Sequence, residues 1–453
     1  MNTARYELTH KQPAAPIVPL NLTDRIGQVR DWWGDVSDRM GFNAQLSIQD
    51  MLRTLPQCFL VALLVSMTVC FTGCSSGQTN HQQNVQKAEQ RWKDARGGLL
   101  LQAAQRQFDA GDLIQASKTL DDAINYDPTN ANLHLLAARI SLEKGLLERS
   151  FRQLELAGEL DGKLSQIAYY QGVVQQRWRK YEAARDYYLK ASELEADNVA
   201  YLLAAAEMDL AMQQSQVALD RLLGRVDYFD QNAGIRVAVG DVYRLLGQYD
   251  KASEYYSQAV LLDPESFTTL EQLGHTLVLS GRNIQAIGVF EQLLINETFA
   301  SRSDLKQTLA RCYMSNGQFE EARKIFDAMR LANAHDIDAW VGLGDVAMQQ
   351  GDFSAAMRVA SRLQSLVSDR HEGFLLAGLC YHQRNNHERA ASMFNKAMSL
   401  MPQSSEPAIL LGLSLQQSGK LEAAAQAYAE AIRRQPEDLR ARQLLERLAS
   451  VTQ

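Results

Sequence analysis

The chain has 453 residues with only 27 Gly and 9 Pro, and its 46 basic and 53 acidic side chains leave a formal net charge of -7. So few helix breakers favour helix throughout, and a mildly acidic balance with no long block of one sign excludes nucleic acid as an expected partner. The five cysteines, Cys58, Cys70, Cys74, Cys312 and Cys380, include no short CxxC pair. Neither a zinc or redox site nor a disulfide framework is indicated.

Residues 1–50 are Arg- and Asp-rich, contain Pro and carry Trp32-Trp33, with no catalytic motif. They fit poorly ahead of a signal peptide and read as an extension from a misplaced start, with Met51 opening the leader. The alternative is a cytoplasmic tail with a short amphipathic helix near Leu22 to Met40. Residues 58–71, CFLVALLVSMTVCF, form an uncharged run of 14 residues. That length suits a signal-peptide core better than a membrane span. Residues 51–73 are therefore expected to be a lipoprotein-type signal peptide, with an uncleaved signal anchor from Leu55 to Gly73 as the rival reading. The stretch Phe71-Thr72-Gly73-Cys74-Ser75-Ser76-Gly77 resembles the bacterial lipobox, with Phe71 where that motif usually has Leu. The resemblance implies that Cys74 is lipidated and becomes the mature amino terminus, which makes a membrane one partner. Several acyl chains anchor stably where one does not. Ser75 and Ser76 resemble the residues of lipoproteins sorted to the outer membrane, facing the periplasm.

Residues 74–96 read as a linker and a leading helix, roughly Asn84 to Arg96. From 97 to 438 the sequence repeats: blocks of 34 residues begin at 97, 131, 165, 199, 233 and 267, then at 303, 337, 371 and 405 after a two-residue insertion. The eighth place reads Ala104, Ala138, Gly172, Ala206, Gly240, Gly274, Ala310, Gly344, Gly378 and Gly412. The twentieth place is Ala in nine blocks, with Ser150 in the other. Small residues there let two antiparallel helices approach closely, and large residues must fill the space opposite. The twenty-fourth place supplies them, from Leu120 and Leu154 through Tyr188, Tyr256, Phe290, Phe326 and Phe394 to Tyr428, with Ala360 the exception. Glycines 111, 145, 247, 281, 317, 351 and 419 end the first helix of seven blocks, as a left-handed cap requires. Prolines 128, 264, 402 and 436 end the second helix in four of them. Block 199 departs most, with Arg225 at a small-residue place, so its second helix is expected to end early or bend. Residues 439–453 read as the polar-faced capping helix that an open solenoid needs.

These repeats resemble the tetratricopeptide family, most fully from Gly240 through Pro264, with Trp340, Leu343 and Gly344 matching its first-helix signature. The resemblance implies an all-α fold, a right-handed superhelical solenoid of ten helix-turn-helix repeats, with the first helices lining the inner face. On that pattern the inner places hold Leu135, Tyr169, Leu203, Val237, Glu271, Gln307, Val341, Leu375 and Ile409. One turn later stand Arg139, Val173, Glu207, Asp241, His275, Arg311, Asp345, Leu379 and Leu413. Apolar ends and a charged middle suit an amphipathic helix or extended peptide of another protein, and Leu375, Leu379, Ile409 and Leu413 are expected to form one exposed strip. No lysine stands at these places to clamp a terminal carboxylate. The family's plan implies a scaffold that assists assembly of an envelope, pilus or secretion complex. A soluble cytoplasmic adaptor or co-chaperone is the rival, and a recognition subunit for an enzyme on another chain is the third reading. HExxH, GxSxG, phosphate-loop and GxGxxG motifs are absent, and His382 and His387 read as surface polar residues. No catalysis, small-molecule substrate, cofactor or metal is expected.

Overall fold

A computed structural model describes residues 77–452, and every regular element among them is helical. Cys74, the leader and residues 1–50 lie outside the described residues. The chain divides into two units, Met1–Arg91 and Trp92–Gln453. Of the first, the described part is the start of α1 (Gly77–Asp109), a 33-residue helix. The expected leading helix is therefore not separate; it runs unbroken into the first repeat, with no Pro or left-handed residue to interrupt it.

The second unit is a solenoid in which each helix packs on the next. Helix α1 pairs with α2 (Leu113–Tyr126), α3 (Ala131–Glu143) with α4 (Leu147–Leu160), and α5 (Ser165–Arg177) with α6 (Tyr181–Leu194). Then α7 (Val199–Ala211) pairs with α8 (Ser215–Val226), α9 (Ala233–Leu245) with α10 (Tyr249–Leu262), and α11 (Phe267–Leu279) with α12 (Asn283–Ile295). The two-residue insertion builds a single turn, α13 (Glu297–Ala300), capped by the Asn296 side chain. Four more pairs complete the array: α14 (Ser303–Ser315) with α15 (Phe319–Ala332), α16 (Ile337–Gln349) with α17 (Phe353–Leu366), α18 (Glu372–Gln383) with α19 (His387–Leu400), and α20 (Glu406–Gln417) with α21 (Leu421–Arg434). Helix α22 (Leu439–Thr452) caps the end, burying Ala441 and Leu448.

The turn between paired helices is the same in all ten repeats. The fifteenth place has positive φ throughout: seven glycines between 72° and 81°, and Arg179, Gln213 and Asn385 between 56° and 61°. Around Gly247 the hydrogen bonds are those of a Schellman cap, Gly247 N–H to the Arg244 carbonyl at 3.1 Å and Gln248 N–H to that of Tyr243 at 2.9 Å. As Arg225 suggested, α8 ends early, at Val226. The guanidinium of Arg225 lies 4.6 Å from the Tyr228 ring centroid and donates to the Ala196 carbonyl at 3.1 Å.

Pair packing follows side-chain volume. Five of the six repeats with Gly at the eighth place have an aromatic at the twenty-fourth, and three of the four with Ala have Leu. A Cβ placed on Gly274 would lie 2.9 Å from Cζ of Phe290, so the ring occupies the volume a methyl would need. The Gly344–Ala360 pair leaves space at both places, and Leu376 of the following helix fills it.

Candidate protein-binding face

Places five and nine of each first helix lie one turn apart, so they share a helix face. Most of the residues expected there are half-buried: Tyr169, Leu203, Leu375, Arg139, Asp241, Glu271, Asp345, Leu379 and Leu413. His275, Arg311 and Glu207 are exposed. Leu135 and Ile409, expected on the open face, are buried at 5% and 6% exposure. Leu135 joins a cluster with Leu142, Leu154 and Ile167, and Ile409 joins Ala408, Ala431 and Ala441. Leu375 and Leu379 pack partly against the cluster that holds Phe394 and Leu411, and Leu413 against those that hold Ala441 and Tyr428. The four residues thus form no continuous exposed strip, because neighbouring repeats and the cap claim their apolar area.

The charged middle is pre-organised by internal partners. Arg302 grips Glu271 with both terminal nitrogens, at 2.7 and 2.8 Å, and reaches Asp304 at 2.5 Å, while His275 Nε2 stands 3.7 Å from Glu271. Arg302 comes from the insertion, so the 34-residue register gave it no place on this face; the insertion was the only signal. Its guanidinium holds the Asp304 carboxyl below the ordinary range, chiefly by that hydrogen bond. Asp241 accepts from the Tyr256 hydroxyl at 2.7 Å, with Arg244 at 3.8 Å.

Toward the amino-terminal end Tyr169 and Tyr170 are half-buried, backed by the buried rings of Tyr188 and Tyr201. Tyr169 lies with ring centroids 5.2 Å from Tyr201, 5.3 Å from Tyr170 and 5.5 Å from Tyr188. Burial, above all, raises the Tyr169 phenol well beyond its ordinary pKa, so it stays protonated as a hydrogen-bond donor at any physiological pH. Arg139 spans three repeats, its guanidinium 4.7 Å from the Phe108 ring centroid and 5.6 Å from that of Tyr170. Stacked in this way, it presents a cation at low cost in side-chain freedom.

Other candidate chemistry is modest. Burial pushes the thiols of Cys312 and Cys380 up to about 11, so both remain neutral, unreactive core residues. His382 and His387 have ring centroids 5.1 Å apart, and His382 Nδ1 meets Ser414 Oγ at 2.9 Å. Burial, with the neighbouring His387, lowers the His382 pKa. Among the described residues no three His, Cys, Asp or Glu side chains converge as a metal set. Nor is any described helix long and apolar enough to cross a membrane.

Family profiles described as tetratricopeptide repeats match residues 277–340, 381–448 and 342–404, and one described as a TPR repeat matches 240–281. The chain belongs to the tetratricopeptide-repeat family. Among curated proteins, this tetratricopeptide protein is 24% identical over 143 residues to BBSome complex member BBS4 of Mus musculus, covering 31% of this chain and 27% of that one. It is 23% identical over 287 residues to Cellulose synthase 1 operon protein C of Komagataeibacter xylinus, covering 62% of this chain and 20% of that one. The matched stretches thus span only about a fifth to a quarter of those relatives. The solved structure of pilF from Pseudomonas aeruginosa is 16% identical, with a TM-score of 0.41, over 48% of this chain and 99% of that one. The repeats make the chain a protein-interaction scaffold.

Proposed function

We propose that the protein is a membrane-anchored lipoprotein that assists assembly of an envelope, pilus or secretion complex, docking a partner segment on the face formed by its first helices. The observation that carries the anchoring is Cys74 preceded by Thr72-Gly73 and an uncharged apolar run. Such a run suits a signal-peptide core, and the thiol after small residues is the group that takes the lipid. Docking is supported by the composition of the face: aromatic rings and Arg139 at one end, exposed His275 and Arg311 in the middle, and half-buried leucines at the other end. An extended or helical segment with apolar anchors and polar residues between them complements this order. The scaffold contributes rigidity, since Arg302, Arg139 and Tyr169 are already held by neighbours and lose little freedom on binding.

Metabolic labelling of bacteria expressing the full chain with a radiolabelled fatty acid tests the anchor. The wild type takes up label and fractionates with membranes, and Cys74→Ala does neither. Unlabelled wild-type protein in the soluble fraction would replace this reading with that of a cytoplasmic adaptor.

A further inference from the structure

The second and third repeats depart from the pattern at two places that meet. At the seventh place nine repeats carry Ala, Val or Leu, and the third carries Gln171. At the twenty-eighth place nine carry a side chain, and the second has Gly158. Both residues line a single open cavity of about 440 Å³ between α4 and α6. Its floor is α5, through Ile167 and Gln171, with Leu164 just ahead of that helix. Places three and seven of a first helix lie about 200° around the axis from places five and nine, so this notch is not part of the first-helix face that carries Tyr169 and Arg139.

Gln171 is only 8% exposed, yet its carboxamide makes no hydrogen bond to any described residue. Its oxygen and nitrogen are not sealed in the core but open to the notch, so a ligand can reach them directly while the rest of the side chain is already held. Glu155 and Glu159 stand one turn apart on the rim, with Lys190 across from them. None of the three is ion-paired among the described residues. A carboxamide complements a peptide amide, since each offers one donor and one acceptor face. Two carboxylates against one ammonium favour a cation and disfavour a phosphate.

We propose that this notch is a second protein-binding site, taking an extended partner segment whose arginine or lysine side chain enters between Glu155 and Glu159 while its backbone pairs with Gln171. Lys190 receives a carboxylate that comes after the basic residue. Gly158 makes the room: a Cβ there would lie 3.7 Å from Ile167 Cγ2, an ordinary contact, so the position accepts a side chain, and a longer one would extend into the notch.

The test uses the full chain, labelled at the Ile167 methyl and the Gln171 side-chain amide, titrated with acetyl-Gly-Ala-Arg-Asp-Ala-Gly-amide. A control peptide has Glu in place of Arg. The arginine peptide should shift both reporters saturably, and Glu155→Gln with Glu159→Gln should weaken binding about tenfold, as loss of charge-assisted hydrogen bonds predicts. Gly158→Leu should abolish binding with the thermal melt retained. Gln171→Leu, which restores the residue type of the other repeats, should fold and bind at least about fivefold more weakly. Equal binding of the glutamate peptide, no saturable shift at these two reporters, or unaltered affinity in Gly158→Leu and Gln171→Leu would overturn the proposal. None of these variants touches Cys74 or the first-helix face, so the two sites stand or fall separately.

Discussion

At the scale of single residues, the repeat pattern is a set of volume and backbone constraints, and both can be tested by exchange between repeats. Phe290 is fully buried against Gly274, so Gly274→Ala overfills the pair. Chemical denaturation should show a loss of about 1 to 3 kcal/mol. Adding Phe290→Leu recreates the Ala–Leu pairing of Ala206 with Leu222 and should recover much of that loss, a coupling that independent sites would not show. The left-handed turn supplies the converse case. Arg179 and Gln213 adopt φ of 60° and 61° where seven repeats have Gly. A side chain there costs about 1 kcal/mol relative to glycine, so Arg179→Gly and Gln213→Gly should each raise the melting temperature. Asn385→Gly should do so less, since Asn tolerates this region. The glycines were readable from sequence, but the shared conformation at 179, 213 and 385 was not: Arg and Gln carry no local turn signal, and only register with neighbouring repeats imposes it.

At the scale of elements, helix ends decide where the solenoid can stop. Cap helix α22 is fastened through Asp438, whose carboxylate accepts from Arg440 at 2.7 Å and lies 2.7 Å from the Ser405 hydroxyl. Hydrogen bonding by Arg440, then by Ser405, lowers its pKa from 3.8 to about 2. A carboxylate depressed on folding adds stability that is complete above its unfolded pKa and is lost as pH falls through the folded one. Cap docking should therefore weaken between about pH 4 and pH 2, by about 1 to 2 kcal/mol after allowance for the solvent that reaches the pair. Melts recorded across that window should show the loss in wild type, and Asp438→Asn should flatten the dependence there. The cap helix was legible as a polar-faced segment after Pro436; its docking bonds were not, because Ser405 and Asp438 are 33 residues apart. The same distance effect explains the inner face. The next repeat covers Leu135, and the last pair and cap cover Ile409, through contacts that the 34-residue period does not display.

At the scale of the whole molecule, a solenoid has no single core, and its buried residues fall into separate clusters of unequal length. The largest runs without interruption from Val199 to Cys312, across repeats four to seven, and includes Ala252, Tyr256 and Phe290. The clusters on either side are shorter, each confined to two or three repeats. Coupling between repeats passes through such shared packing, so cooperativity should track cluster boundaries rather than the 34-residue period. Ala252 is fully buried in the middle of the long cluster, and Ala252→Leu forces about three carbons into filled space. A destabilisation of about 1 to 3 kcal/mol is expected. Hydrogen exchange read by mass spectrometry should show faster exchange throughout residues 199–312, including α14, which lies two repeats from the substitution. Residues 97–160 and 390–434 should keep wild-type protection, since their buried side chains belong to other clusters. Faster exchange confined to α9 and α10 would mean that each repeat opens alone. Uniform acceleration over the whole chain would mean that the ten repeats unfold as one unit despite the gaps between their cores.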